Sequence, residues 1–208
     1  MSFEKDNFVV IKNALDKNTA NFLYDYFLLK RQVVQTYQKS RYISPYTNEY
    51  GVWNDGQVEN TYSVYGDIAF EVLLEQIKPK MEEATNMKLI SNYTYGRLYK
   101  KGDILKRHKD RFSCEVSTTL NLGGDPWPIF VEPSEEVDKK GIQIDLDPGD
   151  MLAYRGNICE HWREEFTGDV CGQVFLHYNN KETPDAEKNK FDRRPHLGLP
   201  DWFRYDGI

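Results

Sequence analysis

Between Lys88 and Asn180 the chain is cut into short apolar or aromatic runs by clusters of turn formers. No other feature restricts the fold as much. The runs are 88–99, 104–109, 113–122, 128–132, 141–146, 151–155, 158–163 and 171–178. Between them stand Lys101-Gly102-Asp103, Gly123-Gly124-Asp125-Pro126, Pro148-Gly149-Asp150 and Thr167-Gly168-Asp169. Gly reaches the backbone angles of tight turns, Asp bonds its own backbone, and Pro cannot continue a ladder. Many short strands punctuated in this way predict a sandwich or barrel.

The segment ahead of the strands has a different texture. Phe8-Val9-Val10-Ile11 reads as a strand. Asp16 is a helix N-cap, after which Ala20, Phe22, Leu23, Tyr26, Phe27 and Leu28 recur at helical spacing to about Val34. A second helix is expected over 66–85, with Ile68, Phe70, Val72, Leu73, Ile77 and Met81 on its apolar side and Pro79 interrupting or kinking it. Residues 36–62 form a polar, Tyr-rich connection, and one that long usually covers something. The tail after Asn180 is charged and Pro-rich, ends in Trp202-Phe203-Arg204-Tyr205, and is expected to lie on the surface as coil.

The expected fold class is therefore α+β, a single domain over 1–208. Residues 1–87 supply a strand, helices and a long loop. Residues 88–180 form a jelly-roll barrel, a double-stranded β-helix, with the helices packed on one face. Residues 181–208 form the tail. A length of 208 residues suits one domain, and 14 Tyr, 11 Phe and 4 Trp can fill its core although only 39% of residues are hydrophobic.

The net charge of −6 argues against a non-specific nucleic-acid binder. No stretch is apolar enough to span a membrane, and MSFEKDNFVV does not read as a signal peptide. Cys114, Cys159 and Cys171 form no CxxC pair. They read as small core fillers in a reduced, cytoplasmic protein, with Cys159 and Cys171 expected on adjacent strands.

The chemistry concentrates on the histidines. His108-Lys109-Asp110 lies in a strand context, where residues i and i+2 face the same way. His161 follows 53 residues later, beyond the Pro-Gly-Asp turn and Tyr154. Two imidazoles and a carboxylate on one face suit non-haem iron(II), with positions left open. A closed zinc site would need other spacings and paired cysteines. His177 reads as a structural or substrate-side histidine, and His196 as an exposed one.

With these residues in order, the chain resembles the 2-oxoglutarate- and iron(II)-dependent dioxygenases of the prolyl 4-hydroxylase-like branch. The text that carries the likeness is Tyr99-Lys100-Lys101-Gly102-Asp103, His108-Lys109-Asp110, Ser117-Thr118-Thr119-Leu120-Asn121-Leu122, Pro148-Gly149-Asp150-Met151-Leu152-Ala153-Tyr154, His161 and Gln173-Val174-Phe175-Leu176-His177-Tyr178. The match runs from about Asn92 to Tyr178. The resemblance implies that His108, Asp110 and His161 ligate Fe(II) and that Tyr99 hydrogen-bonds 2-oxoglutarate. It also implies hydroxylation of an unactivated C–H bond by O2, with decarboxylation of 2-oxoglutarate to succinate and CO2. Ascorbate is a possible reductant.

One departure is informative. The family places a Lys or Arg about ten residues after the last histidine, to pair with the distal carboxylate of 2-oxoglutarate. Here Val170, Cys171, Gly172 and Gln173 offer no charge. A buried carboxylate needs a partner. Arg163, two residues after His161, shares its face if the strand is regular, and Arg binds carboxylates bidentately. Thr119 leaves room for the guanidinium and could donate a hydrogen bond itself. Asn121 and Gln173 are expected to face inward and orient the co-substrate. Arg97 and Arg155 are the runners-up as the cation.

The branch implies a prolyl residue in a peptide or protein as substrate. Tyr37, Tyr42, Tyr46, Tyr50 and Trp53 are expected to form either a lid or groove or a structural wrap. A free amino acid or other small molecule is an alternative substrate. A nucleic-acid base is less favoured, although Lys100, Lys101, Lys106, Arg107, Lys109 and Arg111 form a local basic rim. A metal-binding module without turnover is the alternative from another class.

Overall fold

Ten strands form two antiparallel sheets among the residues that the computed structural model describes, 2–44, 46–134 and 139–204. The larger sheet has the order β1 (Phe8–Ile11), β8 (Met151–Arg155), β5 (Val116–Gly124), β10 (Val170–Asn180), β3 (Leu89–Lys100), β2 (Tyr62–Tyr65). The smaller sheet runs β4 (Leu105–His108), β9 (Glu160–Arg163), β6 (Ile129–Glu132), β7 (Ile142–Ile144). Helices α1 (Phe3–Asp6), α2 (Lys17–Lys39) and α3 (Ile68–Thr85) all precede β3. The mixture of helices and antiparallel sheet is the α+β arrangement expected.

Alternation along the strands sorts the side chains into two layers. On one face of the larger sheet, Val116, Leu120 and Leu122 of β5 and Val174 and Leu176 of β10 share a core with Phe27 of α2 and Phe70, Leu74 and Ile77 of α3. Gly96 lets the helices come this close: a Cβ there would stand 2.7 Å from the Phe70 ring and 3.1 Å from Phe27. On the other face, Phe8, Leu152 and Tyr154 meet Ile129, Val131 and Ile144 of the smaller sheet. Tyr99, Cys171 and Phe175 meet Leu105 there. Polar Ser117, Thr119, Asn121 and Gln173 alternate onto this same inter-sheet face, so it is only partly apolar.

All eight strand runs expected between 88 and 180 are present. The third begins later than its sequence suggests, because Phe112–Cys114 turns as a 3-10 helix first. Asp16 caps α2 by accepting from Thr19 N (3.0 Å), and the helix continues past Val34 to Lys39. α3 runs through Pro79, its two halves held by Phe70, Leu74, Ile77 and Met81 in one core. The Pro148-Gly149-Asp150 turn is locked by Asp150, which accepts from Lys12 Nζ (2.6 Å), Asn13 N (3.0 Å) and Asp147 N (3.0 Å).

Three expectations need correction. The connection after α2 contains β2, which pairs with β3 through Tyr62–Leu98 to Tyr65–Tyr95. Cys159 and Cys171 are not on adjacent strands: Cys159 leads into β9 of the smaller sheet, while Cys171 is on β10 of the larger. The tail is not simple surface coil. Arg194 is buried and forms an ion pair with buried Glu71 of α3 (2.6 Å), and Asp192 is buried too. Tyr205, the last member of the aromatic run, lies outside the described residues. No helix among the described residues is long and apolar enough to cross a membrane.

Candidate metal centre

The antiparallel pairing of β4 with β9 sets His108 directly opposite His161, with ring centroids 4.2 Å apart. Asp110 follows just past the end of β4, its N–H donating to Gly156 O at 2.8 Å. That bond turns the carboxylate back toward the imidazoles. Asp110 Oδ1 lies 3.7 Å from His108 Nε2 and 3.6 Å from His161 Nε2. One ligand atom from each of the three side chains falls within 4.8 Å of the others.

The hydrogen bonds behind the rings fix which nitrogens face inward. His108 Nδ1 is 2.7 Å from Lys106 O, and His161 Nδ1 is 3.1 Å from Cys159 O. A carbonyl only accepts, so each Nδ1 carries the hydrogen and each Nε2 presents a lone pair. Burial lowers the pKa of His161, which keeps that ring neutral despite nearby Asp110. Asp110 Oδ2 is buried without a hydrogen-bond partner. The two Nε2 lone pairs, that of His108 once the Gln57 amide moves off it, and the carboxylate could hold a divalent transition metal, and the set fits iron(II).

The three residues line a cavity of about 490 Å³ between the sheets. Tyr93, Tyr95, Tyr154 and Phe175 supply its aromatic wall, and Lys109 and Arg111 stand at its edge. His177 also lines it, with Nδ1 2.9 Å from Ser117 Oγ. Burial depresses the His177 pKa to about 4.

Arg163 stands one alternation step beyond His161 on β9 and reaches across to the larger sheet. It is fully buried, donates Nη2 to Thr119 Oγ1 (3.3 Å), and stacks over Trp127 with Nη1 on the Trp127 carbonyl. Its Nε has no partner. Among the described residues no carboxylate pairs with it, and burial lowers its pKa. The Thr119 hydroxyl spends its one hydrogen on Gln173 Oε1 (2.9 Å). Thr119 therefore accepts from Arg163 and has none left to donate, contrary to the expectation for it. Gln173 Nε2 bonds Asn121 Oδ1 (3.2 Å), and Asn121 Nδ2 bonds Leu146 O (2.7 Å). Those two amides face inward but are largely committed to each other. Tyr99 is buried, and its hydroxyl accepts from Arg97 Nη1 (3.1 Å).

Other sequence expectations divide. Arg155 lies on the opposite face of β8 from Tyr154 and stacks on Phe3, away from the cavity. Arg97 lines the cavity but is ion-paired with Asp55. The tyrosines of 36–62 are elsewhere: Tyr42 and Tyr46 are exposed, Tyr37 packs on Tyr42 and Tyr50, and Trp53 packs on Tyr62. The segment lines the cavity with Asp55, Gly56 and Gln57 instead. Gln57 donates to His108 Nε2 (2.8 Å) and accepts from Arg97 Nη1 (3.0 Å). Gly156 also escaped the sequence reading: a Cβ there would meet Cys114 O at 2.3 Å and Asp110 Oδ2 at 2.5 Å. Much of the basic rim is neutralised, Lys100 by Asp103, Arg107 by Glu160 and Arg111 by Asp192.

No family model and no curated protein sequence matches the chain. Solved structures align with most of it. A Pseudomonas putida prolyl-4-hydroxylase is 14% identical, with 86% of this chain and 95% of that one covered and a TM-score of 0.57. AviO1 from Streptomyces viridochromogenes Tue57 is 12% identical, covering 88% and 94%, with a TM-score of 0.64. HygX from Streptomyces hygroscopicus, solved with nickel and 2-oxoglutarate bound, is 12% identical, covering 88% and 91%, with a TM-score of 0.57. At these identities the likeness is one of fold.

Proposed function

We propose that this chain is an iron(II)- and 2-oxoglutarate-dependent dioxygenase built on a double-stranded β-helix. Arg163 carries the reading. A buried guanidinium with no carboxylate partner is costly, and a bound anion offsets that cost. It lies on the same face as His161 and roughly 7 Å further along the strand. That is the span expected between the metal-chelating and distal ends of a short keto diacid. HygX, of similar fold, binds nickel and 2-oxoglutarate.

In this reading His108, Asp110 and His161 hold iron, their protonated Nδ1 atoms anchoring both rings to the backbone. Iron(II) bound there, with 2-oxoglutarate and O2, supplies C–H hydroxylation coupled to decarboxylation to succinate and CO2. Arg163 receives the distal carboxylate bidentately, and Thr119 aligns it by accepting one of its N–H groups. Gln173 and Asn121 hold Thr119 in that role. Tyr99, its oxygen engaged by Arg97, keeps its own hydrogen to donate to the co-substrate. Tyr154 and Leu105 exclude water from the inner end.

The substrate we favour is a prolyl residue in a peptide or protein. Tyr95 and Phe175 line the cavity with ring surface against which a pyrrolidine packs, and a prolyl-4-hydroxylase is among the similar folds. The three buried free cysteines accord with a reducing, cytoplasmic setting. The test is an anaerobic titration of the iron(II) protein with 2-oxoglutarate, followed by the visible charge-transfer absorption of the chelate. A saturable band is expected. Iron bound without a band would sink the oxygenase reading. Proline-rich peptides then test the substrate by succinate release and mass increase.

A further inference from the structure

Cys114 and His177 are wall groups of the same cavity to which the proposed reaction gives no role. Both are buried, at 3% and 6% exposure. With Asp110 they bring a sulfur, an imidazole nitrogen and a carboxylate oxygen within 4.8 Å of one another. Separate elements supply them: Cys114 ends a 3-10 turn and His177 lies on β10.

The bonds around His177 settle which nitrogen is bare. Ser117 has one hydroxyl hydrogen, and it goes to Cys114 O at 2.8 Å. At the 2.9 Å contact with His177 Nδ1, Ser117 Oγ must therefore accept. Nδ1 carries the proton and Nε2 keeps its lone pair, as in His108 and His161. An N–H held by a fixed acceptor is how metal-ligating imidazoles are oriented. The sulfur has its own contacts. Tyr93 OH lies 3.0 Å from it, and Arg111 stacks over the Tyr93 ring. Burial, with Asp110 beside it, pushes the Cys114 thiol up to about 12, while Tyr93 and Arg111 pull the other way. Asp110 has an oxygen to spare: Oδ1 leans on the two imidazoles, and Oδ2 is buried without a partner.

We propose that Asp110, Cys114 and His177 form a second cation position, for a thiophilic divalent ion such as Zn2+ or Co2+, sharing the Asp110 carboxylate with His108 and His161. Thiolate with imidazole and carboxylate selects such ions over magnesium or calcium. On binding, a metal–sulfur bond replaces the S–H bond, the proton leaves to solvent, and no electron is transferred. The position touches the proposed iron site only through Asp110, so it stands if the oxygenase reading fails.

The experiment is an anaerobic Co2+ titration of the metal-stripped full chain, read by the near-ultraviolet sulfur-to-cobalt charge-transfer absorption. The band is expected in the wild type, in His108→Ala and in the Cys159→Ser/Cys171→Ser double variant, whose sole thiol is Cys114. Cys114→Ser should lose it, and His177→Gln should need at least about tenfold more cobalt. No band in the wild type, no band in the double variant, or a band surviving Cys114→Ser overturns the proposal. The double variant keeps the result decisive if Cys114→Ser folds poorly. The 2-oxoglutarate chelate band depends on His108 and Arg163, so the two readings fail separately.

Discussion

Arg163 Nη2 donates to Thr119 Oγ1 at 3.3 Å, joining β9 of the smaller sheet to β5 of the larger across the inter-sheet space. The cation proposed to receive the co-substrate is thus held by the sheet opposite its own. Arg163→Met should raise the 2-oxoglutarate requirement by about 10²- to 10³-fold, the worth of a buried charge-assisted pair. Iron binding should survive. Equilibrium titration of both ligands checks this, and an unchanged requirement would place the anchor elsewhere.

His108→Ala and Asp110→Ala each remove one of three metal donors. Iron affinity should fall by more than the about 10- to 100-fold that loss of a supporting partner costs. Turnover should vanish. Metal content after dialysis and succinate formation are the measurements, and full activity in either variant rules out the triad.

Gly156→Ala tests a close approach. The new methyl would fall on Cys114 O and Asp110 Oδ2. Overpacking of this kind costs about 1–3 kcal/mol, and relief requires Asp110 to move. Thermal unfolding and iron affinity should therefore worsen together. A variant that is destabilised yet binds iron normally would show that Asp110 does not depend on Gly156.

Asp150 predicts a pH dependence of stability. Burial would raise its pKa, but the bonds from Lys12, Asn13 and Asp147 outweigh that and lower it below the ordinary 3.8. A depressed carboxylate pKa stabilises the fold above the unfolded value, and the benefit is lost as pH falls through the folded one. Asp150→Asn should cost about 1.5–3 kcal/mol at neutral pH. The gap from wild type should close below about pH 4 in urea melts. A gap independent of pH would mean that charge is not what Asp150 contributes.

The strands of the two sheets were readable because turn signals separate them, and the closeness of His108 and Asp110 because the two are neighbours in sequence. What stayed hidden depends on distant partners. Tyr62-Ser63-Val64-Tyr65 looks like more of a polar loop until β3 is there to pair with it. Nothing around Asp55 and Gln57 announces that they meet Arg97 and His108, about 40 and 51 residues away. Gly156 reads as an ordinary turn residue until Asp110 is seen packed against it. The inward placement of Arg163 could be anticipated because strand alternation is local, whereas the route that spends the Thr119 hydrogen on Gln173 crosses two strands.

The segment after β10 braces Arg111, a lining residue of the cavity. Asp192 takes the Arg111 guanidinium and the Tyr65 hydroxyl, and Arg194 is fastened to Glu71 beneath them. These partners lie 81 to 127 residues upstream. Chains emerge from the ribosome N-terminus first. Every strand of both sheets ends by Asn180, so His108, Asp110 and His161 can come together before Arg111 is anchored. Until then Arg111 and Tyr65 stand without the Asp192 carboxylate that holds both of them.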